Sequence, residues 1–310
     1  MEAVRITDRL LDYINSHKGE SGQIHSVFEG AFNIIDAEGC IIGILSADKD
    51  LSPLSMIVNC QSFNHKSIVQ GHLCEFTDGA IHFQNTKLKI NTSKPEVVNL
   101  SLKHIDNNHI SIRTEKLEDL KKFIINEGSL AGIAELIKYI EIKETASFIN
   151  LKSADINEYS DFIKERLLEL INNIIDENLE LFKSAIQKTV GFGPGLTPST
   201  DDFLTGIIIM MNSLNQTGLG SMLDGINILC AGKTTKISEE MIKHATKGYV
   251  PESYKYFIEV LLDNNKEDIA EAVGKVIKIG SSSGTDFLFG VYCMALINSE
   301  KLRRLENDQI

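Results

Sequence analysis

The run Gly191-Phe-Gly-Pro-Gly-Leu-Thr-Pro-Ser-Thr-Asp-Asp-Phe-Leu-Thr-Gly206 concentrates glycine, proline, hydroxyl and carboxyl groups ahead of an apolar stretch. Gly191, Gly193 and Gly195 lack the Cβ atoms that would hold a ligand or another backbone away, and they permit positive φ. Pro194 and Pro198 fix two further φ angles, so the loop is bent and stiff. A helix is expected to follow, with Ser199 as N-cap and Asp202 completing a Ser-x-x-Asp capping box before the apolar face of Phe203–Met211. Amides at such a helix start have no intrahelical acceptor and suit an anion. Gly193, Gly195, Thr197, Ser199 and Thr200 are therefore candidate binding residues. With Asp202 occupied by capping, Asp201 is the freer acid, able to orient an NH2 group, act as a base or hold a cation. The spacing is neither a P-loop, which needs a Lys after the glycines, nor Gly-x-Gly-x-x-Gly, since position 196 is Leu. A tight, well-capped turn between helices is the plainer alternative.

The pattern returns. Ser199-Thr-Asp-Asp-Phe-Leu-Thr-Gly206 is echoed by Ser283-Gly-Thr-Asp-Phe-Leu-Phe-Gly290, each copy followed by an apolar segment. A glycine inside a helix costs roughly 1 kcal/mol relative to Ala, so Gly206 and Gly290 suggest close helix–helix contact, with both N-termini converging on one pocket. Ser282, Ser283 and Gly284 join the candidate binding residues, and Asp286 joins Asp201 and Asp202 as candidate catalytic acids. Lys233, Thr234 and Thr235 add a cation and two hydroxyls ahead of another helix. No metal site is expected, because His65, His72 and His82 have no tightly spaced Asp, Glu or Cys partners. No Gly-x-Ser-x-Gly elbow or other nucleophile pattern is present, and no cofactor is expected.

These loops need a scaffold, and the texture of the chain supplies one of class α+β. From Gln23 to about Arg113 short β-rich segments recur at roughly ten-residue spacing, among them 25–35, 40–45, 68–76, 80–83 and 109–112. Asp78-Gly79 reads as a hairpin turn. Such spacing favours an antiparallel, barrel-like N-terminal domain over βαβ units, with residues 3–16 as a short preceding helix. After about residue 115 strand signals stop: 117–126, 130–139, a long amphipathic stretch over 156–190, and segments to 297 read as helices. The expected domains are 1–115, β-rich, and 116–310, all-α and carrying the glycine motif. The chain has 310 residues, with 31 basic against 43 acidic and a net charge of −12, which argues against non-specific nucleic-acid binding. No apolar run is long enough to span a bilayer, and the first residues lack a signal core. The five scattered cysteines read as reduced thiols, which points to the cytoplasm.

Gly193-Pro-Gly-Leu-Thr-Pro-Ser-x-Asp-Asp-Phe-Leu-x-Gly206 closely resembles the hallmark of the AllH-type family. His25-Ser-Val-Phe28, Thr234-Thr235 with Ile237-Ser238, and Gly280-x-Ser-Ser-Gly-x-Asp286 extend the resemblance over most of the chain. Thr200 stands where the family usually has Gly, and Ser281 where it often has His. The resemblance implies a subunit of an oxamate carbamoyltransferase of anaerobic allantoin breakdown, interconverting oxalurate plus phosphate with oxamate plus carbamoyl phosphate. It also brings His25 into the candidate binding set, and other transferase subunits as partners. The substrates implied (oxamate, oxalurate, carbamoyl phosphate, phosphate) are small anions, as the glycine loop suggests on its own. A non-catalytic scaffolding subunit, or a metabolite-binding regulator of purine catabolism, is the alternative.

Overall fold

A computed structural model describes residues 1–64, 68–84, 86–102, 111–151, 154–214, 219–265 and 269–307. They form two compact units: Met1–Ser101 with Tyr249–Glu252, and Leu102–Gly248 with the remainder from Ser253.

The first unit is a curled sheet of nine strands: β1 (Ala3–Thr7), β2 (Ser21–Val27), β3 (Ala31–Asp36), β4 (Ile41–Leu45), β5 (Ser55–Val58), β6 (Leu73–Thr77), β7 (Ala80–Phe83), β8 (Lys89–Asn91) and β9 (Glu96–Val98). They are ordered β8-β7-β6-β2-β3-β4-β5-β1-β9. Most pairs are antiparallel, but β4–β5 and β1–β9 are parallel. The sheet bends back on itself far enough for Glu2 to bridge Asn91 of the edge strand β8. Its inner face is an apolar core around Phe32, Phe63 and Phe76, with Phe32 and Phe63 edge to face at 5.0 Å. At the expected Asp78-Gly79 turn the left-handed residue is Gly79, φ +69°. Residues 3–16 are not one helix. Ala3–Thr7 is a strand that buries Ala3 and Ile6 against β5, and only α1 (Asp8–Ser16) is helical, with the Thr7 hydroxyl accepting from Leu10 N. The expected strand 109–112 lies partly outside the described residues.

The second unit contains α2 (Thr114–Glu127), α3 (Glu158–Ile175), α4 (Leu179–Thr189), α5 (Ser199–Leu214), α6 (Leu219–Leu223), α7 (Ile226–Cys230), α8 (Lys236–Ala245), most of α9 (Glu252–Leu262), α10 (Ile269–Ile277) and α11 (Ser283–Asn307). Two expectations need correction. The amphipathic stretch 156–190 is two helices, separated where Glu177 takes φ +51° and Asn178 caps α4 by accepting from Leu181 N. Segment 130–139 is no α-helix: it is a loop running into a short 3-10 turn, Ala134–Lys138, followed by an unforeseen hairpin of β10 (Ile140–Ile142) and β11 (Ala146–Phe148).

Helices α5 and α11 are the centre of this unit. Ser199 to Met211 and Gly284 to Ala295 are buried without interruption, as expected of helices with no solvent face. They cross at their two glycines. A Cβ on Gly206 would lie 2.2 Å from Phe287 O, and one on Gly290 would lie 2.0 Å from Phe203 O. Each helix thus presses its backbone onto the other near its own N-terminus. Gly290→Ala is expected to destabilise the protein by about 3 kcal/mol or more, because a backbone carbonyl cannot retreat from a new methyl as a side chain can. Gly274→Ala, inside α10 with nothing within 4 Å of its Cβ position, is expected to gain about 0.5–1 kcal/mol of helix propensity. Thermal melts of the two variants check both signs.

Candidate functional site

The crossing sets the two helix starts side by side. Thr197 Oγ1 and Ser283 Oγ are 2.8 Å apart, and Asp202 and Asp286 lie close enough for each to feel the other's charge. Ser199, Thr200, Asp201, Asp202, Thr285 and Asp286 are all buried. The exposed parts of the glycine motif are Gly191 and the arc Pro194–Leu196.

The local geometry follows from Pro198. Its carbonyl accepts from Asp201 N at 2.8 Å and Asp202 N at 3.2 Å, so the proline takes the N-cap place expected for Ser199. Proline has no N–H for a capping box to satisfy. The carboxylate one turn on, Asp201, reaches further back instead and accepts from Gly191 N at 2.7 Å, with Thr234 Oγ1 donating to its other oxygen. Thr200 ties the loop a second time, accepting from Phe192 N at 3.0 Å and donating to Phe192 O at 2.9 Å. Thr235 donates to Leu196 O at 2.7 Å and caps α8 through Ser238 N. Gly191 is required on two counts: φ is +83°, and a Cβ would sit 2.2 Å from Lys233 O. Gly193 and Gly195 also take positive φ, +117° and +98°.

The two acids therefore exchange the parts expected of them. Asp201 holds the loop, whereas Asp202 is left over. Asp202 Oδ2, Ser199 Oγ, Asp286 Oδ2 and Ser238 Oγ are buried with no hydrogen-bond partner of normal geometry. The neighbours are near, but not ideally placed: the Ser283 and Thr197 hydroxyls lower the Asp202 pKa, and those of Ser199 and Ser282 lower that of Asp286. Burial dominates all the same. It pushes Asp202 well above the usual carboxylate range, with the Asp286 charge adding to the rise, and it pushes Asp286 up to about 6. Asp201 is raised by burial too, against Thr234, Gly191 and Ser238. A carboxyl with raised pKa is partly neutral near pH 7, so the two acids oppose an anion less than their formal charge suggests.

Among the remaining candidates, Lys233 is exposed, and Gly284 packs on Val276 O, 1.9 Å from its Cβ position. His25 belongs to the first unit, on β2, half-buried with Nδ1 3.3 Å from Ser26 Oγ. Sequence reading missed the loop Gly128-Ser-Leu-Ala-Gly-Ile-Ala134. Asp286 Oδ1 accepts from Ile133 N and Ala134 N, both at 2.9 Å, and Thr285 Oγ1 accepts from Ser129 N at 3.0 Å. The signal was present, since the spacing of Gly128 and Gly132 repeats that of Gly191 and Gly195. Ser238, buried beside Asp201, was noted only as part of a resemblance. Among the described residues no group of three or more His, Cys, Asp or Glu is arranged to hold a metal, and no helix is long and apolar enough to cross a membrane.

Fold and site together define an α+β protein with a β-rich N-terminal unit and a helical unit built on two glycine-crossed helices. Residues 189–295 match the family model for oxamate carbamoyltransferase subunit AllH, and residues 2–97 match the AllH family N-terminal domain. The chain belongs to the AllH family of oxamate carbamoyltransferase subunits. No solved structure matches it.

Because the raised carboxyls bind protons more tightly folded than unfolded, their contribution to stability is fully present below the unfolded value near 4. It is lost as pH rises through the folded values, about 6 for Asp286 and well above the usual carboxylate range for Asp202. The helical unit is expected to lose on the order of 1–3 kcal/mol between pH 5 and pH 8. Asp202→Asn, which keeps the shape and drops the charge, should flatten that slope in denaturant titrations across the range.

Proposed function

We propose that this chain contributes a small-anion site to an oxamate carbamoyltransferase that interconverts oxalurate plus phosphate with oxamate plus carbamoyl phosphate in allantoin breakdown. The reading places the site at the converging N-termini of α5 and α11, under the arc 193–197. The observation that carries it is a set of unused donors: among the described residues, the amides of Gly193, Gly195, Leu196 and Thr197 donate to nothing in the chain. The buried, unpartnered Ser199 Oγ lies directly beneath. Preorganised donors of this kind hold a carboxylate or phosphoryl group and stabilise charge as the carbamoyl group is passed on. Carbamoyl phosphate is intrinsically reactive, so holding it against its acceptor supplies much of the acceleration. Asp201, Thr200, Thr234 and Thr235 fix the loop, and the partly neutral Asp202 and Asp286 leave the field there tolerable to an anion.

Melting the full-length chain with oxamate, oxalurate, carbamoyl phosphate or phosphate, against chloride at equal ionic strength, tests this. A ligand at about 100 times its Kd adds roughly 2.7 kcal/mol, a rise of several degrees. Gly195→Ala should diminish the rise while sparing the fold. Its Cβ position meets only Thr197 O, at 3.6 Å, but φ +98° is strained for any L side chain and the loop amides must turn. No stabilisation by any of the four would defeat the reading.

A second reading is an accessory subunit whose loop is an interface. It is favoured by the apolar surface beside the arc: Leu196 and Phe162 are each 57% exposed, and Phe162 stacks on Phe192 at 4.8 Å. In that case Phe162→Glu would abolish co-purification with the other subunits and leave the ligand-induced melting shift intact.

A further inference from the structure

Beyond the crossing, the apolar face of α11 runs through Met294 and Ile297 and then continues at helical spacing as Lys301 and Arg304. The turn of the β10–β11 hairpin and the end of α3 contribute further walls, and an open-mouthed cavity of about 190 Å3 remains between them. Ile174, Met294 and Ile297, all buried, form its floor, and charged side chains form its mouth. Met294 lies about 16 Å along α11 from Ser283. Most of the charges at the mouth are already paired. Lys301 donates to Glu177, Lys143 meets Glu141 at 3.0 Å, and Glu300 meets Arg303 at 2.8 Å. Arg304 is different. Its Nη2 donates to Lys143 O at 2.7 Å, which pins the hairpin turn, but this uses one of five N–H donors. Arg304 Nε is buried with no acceptor, and among the described residues no carboxylate meets the guanidinium. A buried donor left without a partner forfeits its hydration for nothing.

We propose that this cavity binds a small monocarboxylate, its apolar body on Ile174, Met294 and Ile297 and its carboxylate on Arg304. The inference goes beyond the anion reading above and does not rest on it. Size sets the body: an apolar cavity of about 150 Å3 holds benzene, so this one takes a body of roughly five to seven carbons with the charged group at the mouth. The planar guanidinium fork matches carboxylate oxygens and makes charge-assisted bonds to them. Glu177 and Glu300 at the same mouth oppose a second negative charge, which selects a monoanion over a dianion. Neither half of the ligand suffices by itself. A neutral body leaves Arg304 Nε unpaired, and a bare anion leaves the apolar floor facing water. An occupant touches α3, α11 and the hairpin turn together, so it braces the helical unit where α11 leaves its core.

Calorimetry of the full-length chain with benzoate and hexanoate tests this, with benzamide and acetate as controls that remove the charge and the body in turn. Benzoate and hexanoate should bind with millimolar affinity or better, and each control at least tenfold more weakly. Arg304→Gln should weaken benzoate at least tenfold, and Ile297→Trp, which fills the cavity, should abolish its binding. Melts without ligand check that each variant folds. Gly195→Ala, in the glycine arc, should bind benzoate as the wild type does. The assignment is overturned if neither carboxylate binds, if benzoate binding survives Arg304→Gln, or if Gly195→Ala weakens it, which would move the benzoate to the arc. The first two outcomes leave the anion site standing. If Ile297→Trp fails to fold, Arg304→Gln and the benzamide comparison decide.

Discussion

Phe203 O and Phe287 O each occupy the place where a methyl on the opposite glycine would be. That mutual contact between backbones sets everything near it. Helices this close bring their first turns together, and first turns carry unsatisfied N–H groups and the side chains that serve them. Here the serving side chains are carboxyls, so the crossing also brings Asp202 and Asp286 into each other's field with hydroxyls and amides around them. Leaving a buried polar atom unpaired costs about 1–3 kcal/mol, and four such atoms cluster at this junction. The cost is tolerable because the stretches behind these first turns, Phe203–Met211 of α5 and Phe287–Ala295 of α11, are buried without interruption. A site under strain at the head of an over-stable pair of helices is an economical arrangement, since the apolar segments fix the geometry whatever the polar groups find to bond.

Much of this was legible in the residues. The paired glycines at 206 and 290 and the echoed Ser, Asp and Phe-Leu announced a helix pair with neighbouring starts, because few other reasons place glycine inside a buried helix. The β-rich texture before residue 100 was equally plain, although alternation could not show that two of the pairings run parallel. What failed did so for physical reasons. Ser199 looked like a cap because capping statistics favour serine, but the carbonyl that receives the first helical bonds belongs to Pro198, which has no N–H for a box to serve. The roles of Asp201 and Asp202 reversed as a result. Residues 3–7 looked helical beside 8–16 because their apolar positions fit either period, and pairing with β5 and β9 decided the matter. The clasp at Ile133 and Ala134 joins residues more than 150 positions apart, which no local pattern encodes.

The electrostatics of the junction are unusual for a chain of net charge −12. The main influences on Asp201, Asp202 and Asp286 are burial, hydroxyls, amides and neighbouring carboxylates, with no Lys or Arg of the described residues among them. Neutralisation at the junction therefore comes mainly from protons and hydrogen bonds.

Phe192 is held at both backbone groups by Thr200 and at its ring by Phe162, and Leu196 O is held by Thr235. Only the span between these two pivots is free to change. Its three residues cannot swing as a lid; they can rotate their peptide planes, a motion of nanoseconds to microseconds rather than milliseconds. At the anion site proposed above, such a loop would retune its donors to a guest without gating the guest's arrival.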